Sequence, residues 1–518
     1  MINVPENFHI LSQGQVINPL VKLYISFSKE KSDNVGYFTL NMSNLDGKDI
    51  LGSSEDNPVQ LWDTYKYYDY SDRIVSVDIE RSIEFPYNTQ SAIADFTLEN
   101  TDQYFTPNRG SAIDEYNLPR RPLRIYAGFG GSASIIPQFV GLTQEMPKIN
   151  DKKATVSYTA MDFLSEIADQ TLNQTISMRD ARTNEVLAKI VEQFGVLPSQ
   201  YSFENGDNII PFVFFDKGQN AGEAIKQLVQ AEGGKFWLDE MGILRFQKRY
   251  SVNPAPVMTL SEYSIVSVTP SGQSDIKNHV KITCDLREVQ EFQTVYSKNS
   301  SGDSTNNLWV VGAGQSIVRE CRLEDPCYDI VTPTLGHASA VSWFTAKNSA
   351  QQEITTGITA TGELSTNAYT ITFTNENLFS VELDELQLWG EPAKVYDVLE
   401  YDAYEDESVE KYGEQVLEIT DNPFFQSYDQ AQNFAVYMLN DRANYNSVLE
   451  LEVKGDFSLQ LADTIELEGD YAGSYKIDAI SWHMATGELT TKIKVHKFEQ
   501  VQYFTLDVSE LDGTDVLA

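Results

Sequence analysis

Apolar and polar residues alternate with a period of two along most of this chain. Ala154, Val156, Tyr158 and Ala160 alternate with Thr155, Ser157 and Thr159, which predicts a strand with one buried face. Tyr475, Ile477 and Ala479 repeat the pattern, and Thr490 to Val495 reads as their hairpin partner. Met241-Gly242 predicts the turn of another hairpin, between Phe236-Trp237-Leu238 and Ile243-Leu244-Arg245-Phe246. Three segments switch to helical spacing. Val186, Leu187, Ile190, Val191 and Phe194 share one face and stop at Gly195. Asn220 is placed to cap a helix carrying Ala224, Ile225, Leu228 and Val229, with Glu223 at its third position and Gly233-Gly234 at its end. Ser427 with Gln430 forms a capping box ahead of Ala431, Phe434, Ala435 and Met438. Runs of strands with segregated short helices define an α+β class dominated by antiparallel β-sheet.

A chain of 518 residues exceeds one ordinary domain. Turn-rich breaks divide it into an N-terminal extension (1–74), a first β domain (75–175) and an α+β domain (176–300). A β-sandwich-like module (301–396), a C-terminal α+β and β-barrel domain (397–500) and a terminal segment (501–518) follow. The module opens at the polar run Ser300 to Asn307, is rich in Thr, Ser and Val, and contains the alternating strand Tyr369 to Phe373. From Asp397 the composition turns acidic again.

Charge narrows the function. The chain has 38 basic and 76 acidic side chains, and 38 − 76 = −38. That balance excludes a nucleic-acid reader, whose affinity comes from clustered Lys and Arg. It fits a solvated, self-repelling surface, and equally a conduit whose carboxylates keep passing DNA off the wall. Cys284, Cys321 and Cys327 are too few and odd in number for a secreted disulfide framework. The first residues have neither the basic start nor the apolar core of a signal peptide. The longest apolar run, Ile209 to Phe215, is broken by Pro211 and falls short of the ~18 residues of a membrane span. A soluble chain made in the cytoplasm, without stable membrane insertion, is expected.

No nucleophile elbow, zinc-protease helix, Walker loop or kinase set occurs. Gly128-Phe129-Gly130-Gly131 leads into another strand and not a helix, so it reads as a hairpin loop and not a phosphate cradle. His9, His279, His337, His483 and His496 show no metal-ligand spacing with the cysteines. The acidic run Asp402 to Glu410 lacks the glycine and alternating oxygens of a calcium loop and reads as a solvated loop. No catalytic residue, metal or cofactor is expected, and the chain reads as a non-enzyme.

Two features carry interface chemistry. Tyr37 to Gly52 and Tyr503 to Ala518 are identical at ten of sixteen positions, sharing Tyr37, Phe38, Leu40 and Leu45 with Tyr503, Phe504, Leu506 and Leu511. They read either as a duplicated hairpin, on the turn pairs Asp46-Gly47 and Asp512-Gly513, or as docking strands for sheet edges of neighbours. Trp62, Tyr65, Tyr67, Tyr68 and Tyr70 form an aromatic cluster that fits local packing, a partner contact or a glycan contact.

Several stretches, in order, resemble the tail-tip hub proteins of siphophages, related to the hubs of contractile tails and injection machines. Ala94 to Pro107 looks like the family's strand ending in leucine, any residue, asparagine and then phenylalanine-threonine-proline. Arg121 to Ile125 running to Phe139-Val140-Gly141-Leu142 is similar to its next hairpin, and Tyr158 to Leu164 to its strand-into-helix step. Ala224 to Phe246 resembles its second α+β piece. Asp406 to Gly413, the helix after Ser427, and Leu459 to Ile465 with Asp463 resemble its closing elements. The resemblance implies a virion protein, a homotrimeric ring at the end of the tail tube. It would meet the distal tail protein, the tape-measure protein and tip or receptor-binding proteins, and pass DNA through its lumen without specific binding. The module after Trp309 departs from the minimal hub and looks inserted. The alternative is a receptor-binding adhesin that recognises host envelope carbohydrate.

Overall fold

The computed structural model describes residues 8, 18–28, 65–83, 91–130, 134–249, 251, 255–270, 275–298, 309–336, 341–444, 448–485 and 487–497. Both copies of the repeated element and Trp62 lie outside the described residues.

The chain begins with strands β1 (Pro19–Ile25), β2 (Tyr68–Asp69), β3 (Ile74–Ser82), β4 (Ile93–Glu99), β5 (Pro122–Phe129), β6 (Ile135–Thr143), β7 (Lys148–Asn150) and β8 (Thr155–Asp162), then helix α1 (Phe163–Ala168). An α+β unit follows: β9 (Ile176–Arg182), α2 (Thr183–Glu192), β10 (Tyr201–Phe203), β11 (Ile209–Phe215), α3 (Ala221–Glu232), β12 (Lys235–Leu238) and β13 (Leu244–Gln247). Next come β14 (Met258–Leu260), β15 (Ile265–Pro270), β16 (His279–Val289) and β17 (Gln293–Lys298). The module holds β18 (Trp309–Val311), β19 (Ser316–Arg322), β20 (Cys327–Ile330), β21 (Thr334–Leu335), β22 (Trp343–Lys347), β23 (Glu353–Ile354), β24 (Ile358–Ser365) and β25 (Ala368–Asn375). A long β26 (Val381–Tyr404) leads to α4 (Asp406–Tyr412), β27 (Val416–Ile419), α5 (Tyr428–Arg442), β28 (Val448–Lys454), β29 (Thr464–Leu467), β30 (Gly473–Ala485) and β31 (Glu488–Lys497).

In β8 the alternation read from the sequence is the alternation of burial: Val156, Tyr158 and Ala160 face a core and Thr155, Ser157 and Thr159 do not. In β30 Lys476 and Asp478 are buried as well, and a bulge between Ile477 and Ala479 breaks the pattern. The largest sheet follows the path β15-β28-β31-β30-β3-β4-β8-β6-β5-β1-β2 and is almost wholly antiparallel. Its centre joins an early and a late segment of the chain, because β3 pairs with β4 on one edge and with β30 on the other. Phe457 and Trp482 therefore sit in the core built by Leu23, Phe96, Phe105, Ile125 and Phe129. Each fully buried ring of this kind contributes roughly 1.5–3 kcal/mol. The expected closed barrel is not formed among the described residues: β2 and β15, at the two ends of the path, do not pair.

A second core packs α2, α3 and α5 with the inner faces of β11 and β16, around Leu187, Ile225, Phe215, Ile282 and Phe434. The caps are those the sequence places. Asn220 accepts from Glu223 N at 2.9 Å, and Gly233 ends α3 at φ 69°. Ser427 accepts from Gln430 N at 3.3 Å, but the Gln430 side chain turns one residue further back, accepting from Gln426 N at 3.1 Å.

The module is a two-sheet sandwich. β19-β25-β24 faces the sheet of β17, β18, β20 and β22 on β26, around Trp309, Phe344, Tyr369 and Phe373. One strand, β26, runs through the place where composition puts the end of the module, and the change of composition has a physical cause. Its first half is buried at every second position in the sandwich, whereas from Lys394 onward its outward positions are exposed and become charged. Two other readings are corrected. The acidic run is not a loop: Asp402 to Tyr404 close β26 and Asp406 to Tyr412 is helical, with Asp406 and Glu407 in the first turn, where the helix dipole favours carboxylates. Of Leu459 to Ile465, only Thr464 and Ile465 belong to a strand; Asp463 accepts from Gln460 N at 3.0 Å and closes the turn before it.

Candidate functional site

The residues that carry the family resemblance hold the turns of the fold. Asn100 accepts from Phe105 N at 3.0 Å and donates to Thr106 Oγ1 at 2.9 Å, which folds Phe105 back into the first core. Asn117 donates to Phe105 O at 2.7 Å and accepts from the Tyr158 hydroxyl at 2.9 Å. Asp162 caps α1 through Leu164 N and also takes Ala92 N, and burial pushes its carboxyl up to about 7. Ser408, in the late motif, donates to Ala443 O and ties α4 to the end of α5.

The aromatic cluster does not form one surface. Tyr70 is buried against Phe27 and Phe105, with ring centroids 5.7 and 5.4 Å away, and burial pushes its phenol above the usual range. Tyr67 lies under the Arg124 guanidinium at 4.9 Å. Tyr65 and Tyr68 are exposed. Among the described members of the cluster, these last two are the ones available to a partner.

A polar face runs across the fused sheet. Thr159, Asp95, Asp78, His483 and Thr490 stand side by side on five successive strands, on the outer side of β8, β4, β3, β30 and β31. Two aspartates directly opposite one another repel. Here Thr159 Oγ1 bonds Asp95 and His483 Nδ1 meets Asp78, which relieves the pair from both sides. Shallow clefts of about 230 and 220 Å³ border the row, with Glu145 and Lys148 on one side and Glu80 and Lys492 on the other. The surface offers carboxylates and hydroxyls, with isolated lysines in place of a basic cluster.

Beneath the same sheet, a buried ion network joins it to the α+β unit. Asp478 of β30 accepts from Lys235 Nζ of β12 at 2.6 Å, from His496 Nδ1 of β31 at 2.7 Å, and from Arg442 Nη2 of α5 at 3.4 Å. Arg442 Nε also donates to Asp441 at 2.7 Å. Burial opposes ionisation of Asp478, but the positive groups around it hold its carboxyl well below the usual range. Burial lowers His496 below the usual imidazole value, and burial with the neighbouring Lys235 brings Lys476 to about 8. A similar junction sets Arg81 of β3 against Gln460 at 2.5 Å and Glu240 at 3.5 Å. Local sequence gives no sign of either network, since each charge resembles a surface charge until the chain folds.

Nucleophile chemistry finds no support in the cysteines. All three are buried, and desolvation pushes Cys284 up to about 11 and Cys321 and Cys327 up to about 12, far from a thiolate at neutral pH. His279 is buried between the side chains of Asp402 and Glu414, and among the described residues its ring nitrogens meet only these carboxylates. Among the described residues, no group of three or more His, Cys, Asp or Glu is arranged to hold a metal ion, and no helix is long and apolar enough to cross a membrane.

The fold is multi-sheet and mostly antiparallel, and solved structures of similar arrangement come from phage tails and a secretion machine. A 43 kDa tail protein of prophage MuSo2 from Shewanella oneidensis superposes with a TM-score of 0.44 and 9% identity, over 83% of this chain and 96% of that one. A tail protein from Neisseria meningitidis gives 0.43 and 9%, over 83% and 94%. A type VI secretion component from E. coli, described as similar to the T4 tail proteins gp27 and gp5, gives 0.37 and 8%, over 83% and 74%. No family model matches the chain, and no curated protein matches it.

Proposed function

We propose that this chain is a structural subunit of a phage tail tip. In this reading it is a hub that closes as a homotrimeric ring at the end of the tail tube, meets the distal tail protein and the tape-measure protein, and lets DNA pass during ejection. The observation that carries the reading is the fusion of an early and a late segment of the chain in one sheet, through β3 and β30, over a buried ion network. A ring subunit at the end of a tube has to transmit load without its parts moving independently, and this pairing binds the two segments into one body. On the outer face of that sheet the lysines of β31 and β28, Lys492, Lys494 and Lys454, are interleaved with Glu450 and Glu452, which weakens any hold on a polyanion. The titratable groups with shifted values serve caps, pairs and networks, so a non-catalytic role fits them. The repeated Tyr37 and Tyr503 elements would be docking strands at ring or partner contacts.

The test is the mass of the purified full-length chain, alone and with a distal tail protein, followed by negative-stain images. A closed three-fold ring is expected. A second reading, a receptor-binding adhesin, is favoured by the exposed rings of Tyr65 and Tyr68. A chain that stays monomeric with its partner, and binds envelope polysaccharide in a manner lost on changing those two tyrosines to alanine, would replace the hub with the adhesin.

A further inference from the structure

Among the described residues, β26 beyond Ala393 has a neighbouring strand on one edge only. From Ala393 to Tyr404 it pairs with β16, and among the described residues no strand pairs with its other edge. Two contacts fix the direction of its backbone groups. Glu405 N donates to Asn278 O, on the β16 side, whereas Val398 N turns to Asp397 Oδ1. Because N–H groups alternate in direction along a strand, those of Val398, Glu400, Asp402 and Tyr404 point away from β16. The side chains of these four residues share the outer face, where Val398 and Tyr404 are 58% and 59% exposed. On the inner side, Leu399 and Tyr401 rest on the second core, and the Tyr401 ring meets the half-exposed Tyr428 edge-on at 5.4 Å. An apolar shelf therefore reaches the free edge.

Exposed edges are normally blunted by lysine, proline or a bulge. β26 has a bulge at Tyr396 and a lysine at Lys394, but from Val398 to Tyr404 it has none of the three. It carries Glu400 there, and Asp402, which meets His279 Nε2 and stands opposite Lys281 of β16; α4 adds the exposed Asp406, Glu407 and Glu410 beside Lys411. Charge decides the occupant. A second copy of the chain, at net −38, brings the same carboxylates against these. The C-terminal repeat brings Asp507, Glu510, Asp512 and Asp515 with no lysine or arginine. We infer that the free edge of β26 is a docking site for an extended segment of another protein, which adds as a strand with Lys or Arg toward Glu400 and Asp402 and apolar side chains toward Leu399 and Tyr401. Main-chain hydrogen bonds would hold the segment, and alternate side chains would select it. The inference stands apart from the hub reading and holds equally for an adhesin.

The test uses the full-length chain and a short labelled peptide alternating lysine with valine, beside its glutamate-for-lysine counterpart, followed by fluorescence anisotropy. The lysine peptide should bind and the glutamate peptide should not. Glu400→Ala removes a carboxylate and keeps the outward N–H, whereas Glu400→Pro removes both, at an edge position where proline is tolerated. Affinity should fall severalfold in Glu400→Ala and by about a further tenfold in Glu400→Pro. In the unmodified chain, bound peptide should slow amide hydrogen exchange at Val398, Glu400, Asp402 and Tyr404. This readout stands without any variant, should the proline variant unfold. Equal binding of both peptides, equal affinities of the two variants, or unchanged exchange at these four amides would each overturn the inference.

Discussion

Replacing Asp478 with asparagine would show how much the buried network contributes to joining the sheet to the α+β unit. The carboxylate is 2% exposed, and Lys235 and Arg442 keep only 11% and 7% of their side-chain surface in water. Removing one partner of a buried pair costs about 3–5 kcal/mol, because the other charge stays buried without compensation. Arg442 retains Asp441 at 2.7 Å, so most of the loss falls on Lys235, which sets the expectation at about 3 kcal/mol. Hydrogen exchange of the β30 and β31 amides in urea reads this body apart from the rest of the chain. The double change Lys235→Met with Asp478→Asn should recover much of the loss, since it removes the stranded charge as well. The pH dependence follows from the direction of the shift. A carboxylate held below its unfolded value contributes its full stability above about pH 4, and loses it only as the pH falls through its own lower value. The deficit of Asp478→Asn should therefore persist from about pH 8 to pH 5. A loss under about 1 kcal/mol, or a deficit already gone at about pH 6, would refute this account of the network.

Three further outcomes are expected. Burial holds His496 below its unfolded value, so its neutral form favours the fold; that stability is complete above about pH 6.5 and declines as the pH falls through it. His496→Asn should flatten the fall in urea midpoint between about pH 7 and pH 5. The three thiols should resist alkylation in the native chain at pH 8 and react only in denaturant; labelling of any one under native conditions would contradict its burial. Tyr70→Ala should lower stability by about 3 kcal/mol, with Tyr68→Ala within about 0.5 kcal/mol of the unmodified chain, as thermal denaturation would register.

What the sequence shows and what it hides divide by range. Asn220, Ser427 and the alternation through Tyr158 act on neighbours within a few residues, so spacing alone predicts them. The aromatic run fits packing and partner contact alike because proximity in sequence is not proximity on a surface: Tyr70 N bonds Leu23 O and its ring is buried, whereas Tyr65 and Tyr68 are exposed. The acidic run misleads because composition reports solvation without conformation, and carboxylates in a first helical turn are as favourable as in a loop. The pairing of β3 with β30 joins residues about 400 positions apart and has no local signature. Of the partners of Asp478, His496 comes from the β30–β31 hairpin, whereas Lys235 and Arg442 are brought in by β12 and α5 from outside it.

The buried carboxylates also show where the acidic excess resides. Asp478 meets Lys235, His496 and Arg442, and Glu232 accepts from Thr183 Oγ1 and Asp207 N. Asp239 meets Arg245 and two backbone amides. Carboxylates matched in this way leave the surplus on the exposed faces, of which the outer side of β26 and α4 is one. Contacts between like copies then work against repulsion, whereas docking of a basic segment works with attraction, and salt screens both over about 10 Å at 0.1 M. Raising ionic strength should strengthen ring formation and weaken lysine-peptide binding on the same protein sample. Mass photometry and anisotropy across a salt series would read the two responses. Parallel responses would mean that the acidic surface governs neither contact.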